Sequence, residues 1–248
     1  MAGKASARFA GKVCVVTGGG SGIGRATCLR FAREGGRVAI IDRDADGGEE
    51  TRRLIAETGA EVRFMLMDVA QSSEVREAAD GIVQAWGRVD VLVNNAATMV
   101  FAPVVDLADE QWDSVLGVSL RAAFVCCRSF LPYMRSGAIV NVSSVHAHAT
   151  TRDVAPYAAA KAGLEALTRA LSREHDVTRV RVNAVAPGAV DTPMLWENPN
   201  VRSEAEEIEG PVASPDEIAA VIAFLASEDA SFVHGATLLA DGGRLAAL

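Results

Sequence analysis

Lys12-Val13-Cys14-Val15-Val16-Thr17, followed at once by Gly18-Gly19-Gly20-Ser21-Gly22-Ile23-Gly24, decides the architecture. The β-branched run reads as a strand and the glycine cluster as a tight turn. The stretch from Arg25 to Arg33 then carries helical periodicity. Glycine suits such a turn because its backbone can approach another group closely, and the free N–H groups of a helix N-terminus attract phosphate. Working outward, further short aliphatic runs fall at Arg37–Asp42, Val62–Asp68, Val89–Asn94, Ala138–Ser143, Arg179–Val185 and Ala236–Ala240, mostly separated by longer helical stretches. That rhythm is the βαβ unit. Val13–Val16, Val91–Asn94 and Ala138–Val142 are almost continuously apolar, which fits a parallel sheet covered on both faces. The expected class is therefore α/β, doubly wound.

The chain has 248 residues, 50% of them hydrophobic, which suits one domain over 1–248. Its net charge of −8, with no basic run, argues against a nucleic-acid partner. The first ten residues lack the apolar core of a signal peptide, and no run approaches the ~18 apolar residues of a membrane span. A cytoplasmic protein with no membrane partner is expected. Cys14, Cys28, Cys126 and Cys127 form no C-x-x-C pair and read as buried free thiols, with no metal site. The least regular segment, about 192–215, holds several prolines and an acidic run. It reads as a loop or short-helix insertion at the carboxyl ends of the strands, placed to serve as a substrate lid.

About twenty residues beyond the glycine turn, Asp42 closes the second strand. With the strand–turn–helix context, that acid completes a dinucleotide fingerprint of Gly18, Ser21, Gly22, Gly24 and Asp42. A carboxylate here accepts from the adenosine ribose hydroxyls and repels a 2′-phosphate, so NAD is expected over NADP, although Arg43 could cradle a phosphate. Asp68-Val69 is placed to meet the adenine edge. Asn94, Asn95 and Ala96 either run beneath the cofactor or tie neighbouring strands together.

Tyr157-Ala158-Ala159-Ala160-Lys161 opens a helical stretch, so phenol and ammonium share a face. A phenol is a poor base near neutral pH, and an adjacent cation would stabilise its phenolate. Lys161 can also hold the nicotinamide ribose. Thirteen residues upstream, Ser144 ends a strand and can hold a substrate oxygen beside Tyr157, with Ser143 as its rival.

Taken together, these motifs resemble the classical short-chain dehydrogenase/reductase family over essentially the whole chain. The glycine turn, Asp42, Asp68, Asn94–Ala96, Ser144, Tyr157, Lys161, Asn183–Gly188 and Asp241-Gly242-Gly243 match in order and approximate spacing. The resemblance implies a single Rossmann-type domain with seven parallel strands, hydride transfer at a nicotinamide, and a homotetramer. It also implies that Ile23 meets the cofactor backbone, while Pro187, Gly188, Val190 and Thr192 hold the carboxamide end. Two positions depart from the family pattern. Ser119 stands where an Asn usually serves a proton relay to the lysine, and Ala97 stands where Gly is usual. The four-residue Tyr157–Lys161 spacing argues against the branch that reduces carbon–carbon double bonds.

The stretch after Ser144 should face the substrate. His146, His148 and Arg152 either bind a polyhydroxylated or carboxylate-bearing molecule or point to solvent. Met99, Met194 and Trp196 either wall the site or pack elsewhere. The function expected is NAD-dependent interconversion of a secondary alcohol, such as a sugar, sugar acid or hydroxy acid, with its carbonyl. The alternatives are an NADP-preferring ketone or 3-oxoacyl-thioester reductase and, in another class, a non-catalytic dinucleotide-binding sensor or scaffold, for which Ser119 is the only sequence support.

Overall fold

A computed structural model describes residues 7–204, 207, 208 and 210–246. In chain order the elements are β1 (Val13–Thr17), α1 (Gly22–Arg33), β2 (Arg37–Asp42), α2 (Ala45–Ala56), β3 (Val62–Leu66), α3 (Ser72–Trp86) and β4 (Val91–Asn94). There follow α4 (Asp109–Leu116), a π-helical turn Gly117–Arg121, α5 (Ala122–Phe130), β5 (Gly137–Val142) and α6 (Ala155–Glu174). The last are β6 (Val180–Pro187), the short α7 (Pro193–Trp196) and α8 (Pro199–Arg202), α9 (Pro215–Ala226) and β7 (Thr237–Ala240).

The seven strands form one parallel sheet in the order β3-β2-β1-β4-β5-β6-β7. Every residue of β1, β4 and β6 is buried, because helices cover both faces. On one face Phe31 of α1, Ile55 of α2 and Ile222 of α9 pack against Val16, Ile40 and Val140. On the other, Val75 and Ala78 of α3, Val125 and Phe130 of α5 and Leu171 of α6 pack against Val15, Leu92 and Val182. Burial of a large aliphatic or aromatic side chain is worth roughly 1.5–3 kcal/mol, so these two layers supply the main cohesion.

One long helical stretch, Asp109–Tyr133, has 25 residues and contains an 18-residue window with a mean hydropathy of 1.5, so by length and composition alone it could cross a bilayer, although Arg121 and Arg128 interrupt its apolar run. Here it is a core helix: its Ala122, Val125, Cys126 and Phe130 are buried against the sheet. All four cysteines are buried and unpaired.

Strand order reverses between β1 and β4, so the loops leaving their carboxyl ends diverge and open a crevice there. The 192–215 segment lies at the same end. Its base is tied by a β-bridge between Val190 and Ala213, and α7 and α8 occupy its first half.

Candidate active site

Glycine chemistry shapes the first wall of the crevice. Gly18 and Gly22 hold left-handed φ values of +66° and +48°. A Cβ on Gly18 would meet Asn95 and the backbone of Ala96. The cap residue Ser21 makes no side-chain bond to the start of α1, which leaves the first-turn N–H groups open toward the crevice. Gly24, expected to touch a cofactor, does not line the cavity. Its Cα faces the Gly18 carbonyl oxygen, so its smallness lets helix and turn close on each other. Gly24→Ala should therefore distort the turn itself, with loss of measurable NADH binding in a fluorescence titration and lowered thermal stability.

Asp42 stands at the end of β2 with its carboxylate fixed by two backbone donors. Gly20 N donates to Oδ2 at 2.7 Å and Asp44 N to Oδ1 at 3.0 Å. Arg43, Asp68 and Val69 line the same end of the cavity. The two adjacent asparagines act chiefly as ties. Asn95 Nδ2 donates to the carbonyls of Thr17 (2.9 Å) and Gly18 (3.0 Å), while Asn94 Nδ2 donates to Asn141 Oδ1 at 2.8 Å. Asn95, Ala96 and Ala97 still line the cavity, and Asn94 does not.

The cavity, about 310 Å³, runs from Asp42 past the glycine turn to the end of β5 and the top of α6. Buried residues of α6 recur on one stripe, with Tyr157, Lys161, Glu165, Thr168 and Ser172 turned toward the sheet. Three of them are bonded to β5 or the residue following it. Lys161 Nζ donates to Val142 O at 2.6 Å, Ser143 Oγ donates to Glu165 Oε1 at 2.8 Å, and Asn141 Nδ2 donates to Thr168 Oγ1 at 2.8 Å. This ladder holds helix and strand in register, and so fixes Tyr157 beside the residues that leave β5.

Ser144 and Tyr157 line the same wall of the cavity, with the serine hydroxyl acting on the phenol. Ser143 also borders the cavity, but its hydroxyl turns to Glu165 and the Lys161 carbonyl. Burial pushes the Tyr157 phenol up to about 12, opposed by the Ser144 hydroxyl. Lys161 is 2% exposed, and burial drives its ammonium down to about 7. Its Nζ lies 5.3 Å from the centre of the Tyr157 ring. The expected picture of a permanent cation depressing the phenol thus needs revision: desolvation dominates both groups.

Several other expectations change. Ser119, buried in the π-helical turn, does not line the cavity. Its hydroxyl donates to Thr98 O (3.2 Å) and accepts from Thr98 N (3.1 Å), clamping the loop after β4. His146 lines the cavity, its ring edge-on to Tyr157 with centroids 5.8 Å apart. His148, two residues on, is turned away and pairs with Glu165 at 3.0 Å, and Arg152 is exposed outside the cavity. Met99 and Met194 line it. Trp196 instead donates to Asp191 Oδ1 at 2.6 Å from an exposed position. Ile23, Pro187, Gly188, Val190 and Thr192 all face the cavity.

Residues not anticipated include Leu195, Asn198, Val201 and Ile208 from the 192–215 segment, and Arg244 beyond β7. The proline-rich irregularity pointed to that segment but not to which side chains turn inward. Among the described residues, no cluster of His, Cys, Asp and Glu is arranged to hold a metal.

Comparison with known proteins gives this geometry a lineage. Residues 18–244 match a family model described as enoyl-(acyl carrier protein) reductase. The chain is 38% identical over 242 residues to a 3-oxoacyl-[acyl-carrier-protein] reductase of Thermotoga maritima, covering 95% of this chain and 98% of the relative. The chain belongs to the short-chain dehydrogenase/reductase family. It is thereby an oxidoreductase of the alcohol/carbonyl type. It is also 40% identical over 243 residues to a 3β-hydroxysteroid dehydrogenase of Eggerthella lenta, covering 94% and 93% of the two chains. Among solved structures, levodione reductase superposes with a TM-score of 0.92 at 36% identity, covering 97% of this chain and 100% of that one.

Proposed function

We propose that this short-chain oxidoreductase uses NAD to interconvert a secondary alcohol and its carbonyl. The observation that carries the reading is Ser144 and Tyr157 on one cavity wall, with Lys161 one turn along α6, on a cavity that reaches back to Asp42. A nicotinamide dinucleotide fits the chemistry of the walls. Open N–H groups at the start of α1 suit a diphosphate, and the Asp42 carboxylate suits ribose hydroxyls. Arg43, Asp68 and Val69 would border the adenosine, and Lys161 the second ribose. Pro187, Gly188, Val190 and Thr192 would border the nicotinamide. Bound there, the dinucleotide supplies the carbon that accepts or returns hydride.

In oxidation, the Ser144 hydroxyl donates to the substrate oxygen and orients it, and Tyr157 takes the hydroxyl proton. In reduction Tyr157 returns that proton to the carbonyl oxygen. The 192–215 segment acts as a cover over the substrate, since Met194, Leu195 and Val201 turn into the cavity. Phe124 and Trp112 on one side, and Phe232, Leu238 and Leu239 along the β7 edge, are exposed apolar groups on separate surfaces. Two such surfaces support a homotetramer, and four buried, unpaired thiols support a reducing cytoplasm.

Turnover is tested by steady-state oxidation across a panel of secondary alcohols, sugars and hydroxy acids, with NAD and NADP each supplied. The expected result is oxidation with preference for NAD; NAD binding without any turnover would favour the non-catalytic alternative. The alternative is an NADP-preferring ketone or 3-oxoacyl-thioester reductase, and the Asp42 carboxylate weighs against it. Asp42→Asn keeps an acceptor for Gly20 while removing the charge that repels a 2′-phosphate. It is expected to raise the NADPH-to-NADH ratio of kcat/KM about 10²-fold. An unchanged ratio would remove Asp42 from cofactor choice.

A further inference from the structure

The acids of the cavity wall lie together: Asp42 at the end of β2 and Asp68 after β3 stand at one edge of the sheet beside Arg43, while Lys161 lies near Tyr157 on α6. At the far side, beyond β6 and β7, the wall holds one cation, Arg244, and no acid. The covering segment adds Met194, Leu195, Val201 and Ile208 to the wall, with Asn198 as a polar residue among them.

Arg244 is a fixed feature of that wall. The strand pair Pro187–Ala240 leads into Asp241, whose backbone packs on Gly188, while Gly242 lies against Pro211. The Asp241 carboxylate accepts from Gly243 N (2.9 Å) and Leu245 N (2.8 Å), which folds the turn that carries Arg244. Both carboxylate oxygens are thus used by the backbone. Among the described residues, Arg244 forms no close ion pair and its guanidinium makes no hydrogen bond; the Asp241 carboxylate on the same turn acts on it through charge alone. A half-buried guanidinium of this kind gains most from a carboxylate, which it can bind in a bidentate fork. A dianionic phosphate would call for further cationic donors, and among the described residues Arg244 is the one cation on that side of the wall.

Resting on the alcohol/carbonyl reading above, we propose that Arg244 is a specificity-determining residue that binds a carboxylate on the substrate, making the preferred substrates hydroxy acids and the corresponding oxo acids with an apolar body. The protein carries a net charge of −8, so long-range attraction does not draw such an anion in; the local guanidinium does.

The test compares short straight-chain 3-hydroxy acids with their methyl esters as substrates for the wild type, Arg244→Lys and Arg244→Met. The wild type is expected to favour acids over esters at least tenfold in kcat/KM. In Arg244→Met the acid-to-ester ratio should fall about 10²-fold, mainly through KM, with Arg244→Lys in between. Equal use of acids and esters by the wild type, or a ratio unmoved by Arg244→Met, overturns the proposal. Calorimetric titration of the NADH-loaded protein with the matching 3-oxo acids and esters makes the test independent of turnover. Acid binding that exceeds ester binding and disappears in Arg244→Met supports the carboxylate site, and equal binding overturns it. Failure of the alcohol/carbonyl reading has a different signature: NADH binds, yet neither acids, esters nor neutral alcohols are turned over.

Discussion

Tyr157→Phe is expected to bind NADH with near-normal affinity while turnover falls by about 10²- to 10⁴-fold, the range that positioned acid–base catalysis contributes. The ring is buried against Ala160 and Val115, and phenylalanine keeps that packing. What it removes is the oxygen facing the cavity beside Ser144, the one proposed to carry the proton. Equilibrium titration with NADH, set beside steady-state rates in both directions, separates binding from chemistry. Unimpaired turnover would take the proton-transfer role from Tyr157. Burial holds the phenol at about 12, so the nucleotide-free pocket opposes phenolate. The variant's loss should therefore be largest in the oxidation direction below that pH, where deprotonation has to be coupled to the reaction.

The second large effect is expected at Lys161. Lys161→Met should lower turnover by about 10²-fold or more, and it should also alter how the nucleotide-free protein responds to pH. Burial lowers the ammonium from 10.5 to about 7 in the folded protein. Between those values the unfolded chain binds more protons than the folded one, so stability rises with pH across that window. Below pH 7 the cost of burying the charge is fully present, and above pH 10.5 it is gone. At 1.36 kcal/mol per pKa unit the full change is on the order of 5 kcal/mol. Tyr157 contributes nothing to that rise, since its raised value erodes stability only as pH climbs beyond 10. Denaturant unfolding of wild type and Lys161→Met at a series of pH values isolates the difference. Parallel profiles for the two proteins would contradict the assignment.

Much of this was legible because the requirements are local. A glycine turn between strand and helix, an acid at the next strand's end, and a tyrosine and lysine one helical turn apart each read directly from residue types at fixed spacing. Seven aliphatic runs became seven strands with small changes at their ends. The third run ends as a strand at Leu66, although Met67 N still bonds the Asp42 carbonyl; the chain then turns at Asp68, whose N–H donates to Glu74 and whose side chain accepts from Ala70 N. The sixth extends through Pro187, which still matches Ala240 across the sheet.

What the sequence left hidden depends on direction and on distant neighbours. His146 and His148 sit two apart on a short turn, yet one faces the cavity and the other pairs with Glu165, itself reachable only through the register of α6 on β5. Ser119 is spent on Thr98, a contact made across 21 residues. Gly24 is small for the sake of Gly18. Arg244 borders the cavity because β7 lies beside β6, and no local pattern announces that adjacency.

The proposed reaction is a direct hydride transfer between a carbinol carbon and the nicotinamide, with Tyr157 handling only the hydroxyl proton. An alcohol substrate deuterated at its carbinol carbon, incubated with NAD and the wild-type enzyme and followed by NMR of the reduced nucleotide, tests it most directly. Deuterium is expected at the nicotinamide C4 position, with none released to water. Deuterium appearing in solvent, with an unlabelled reduced nucleotide, would contradict it.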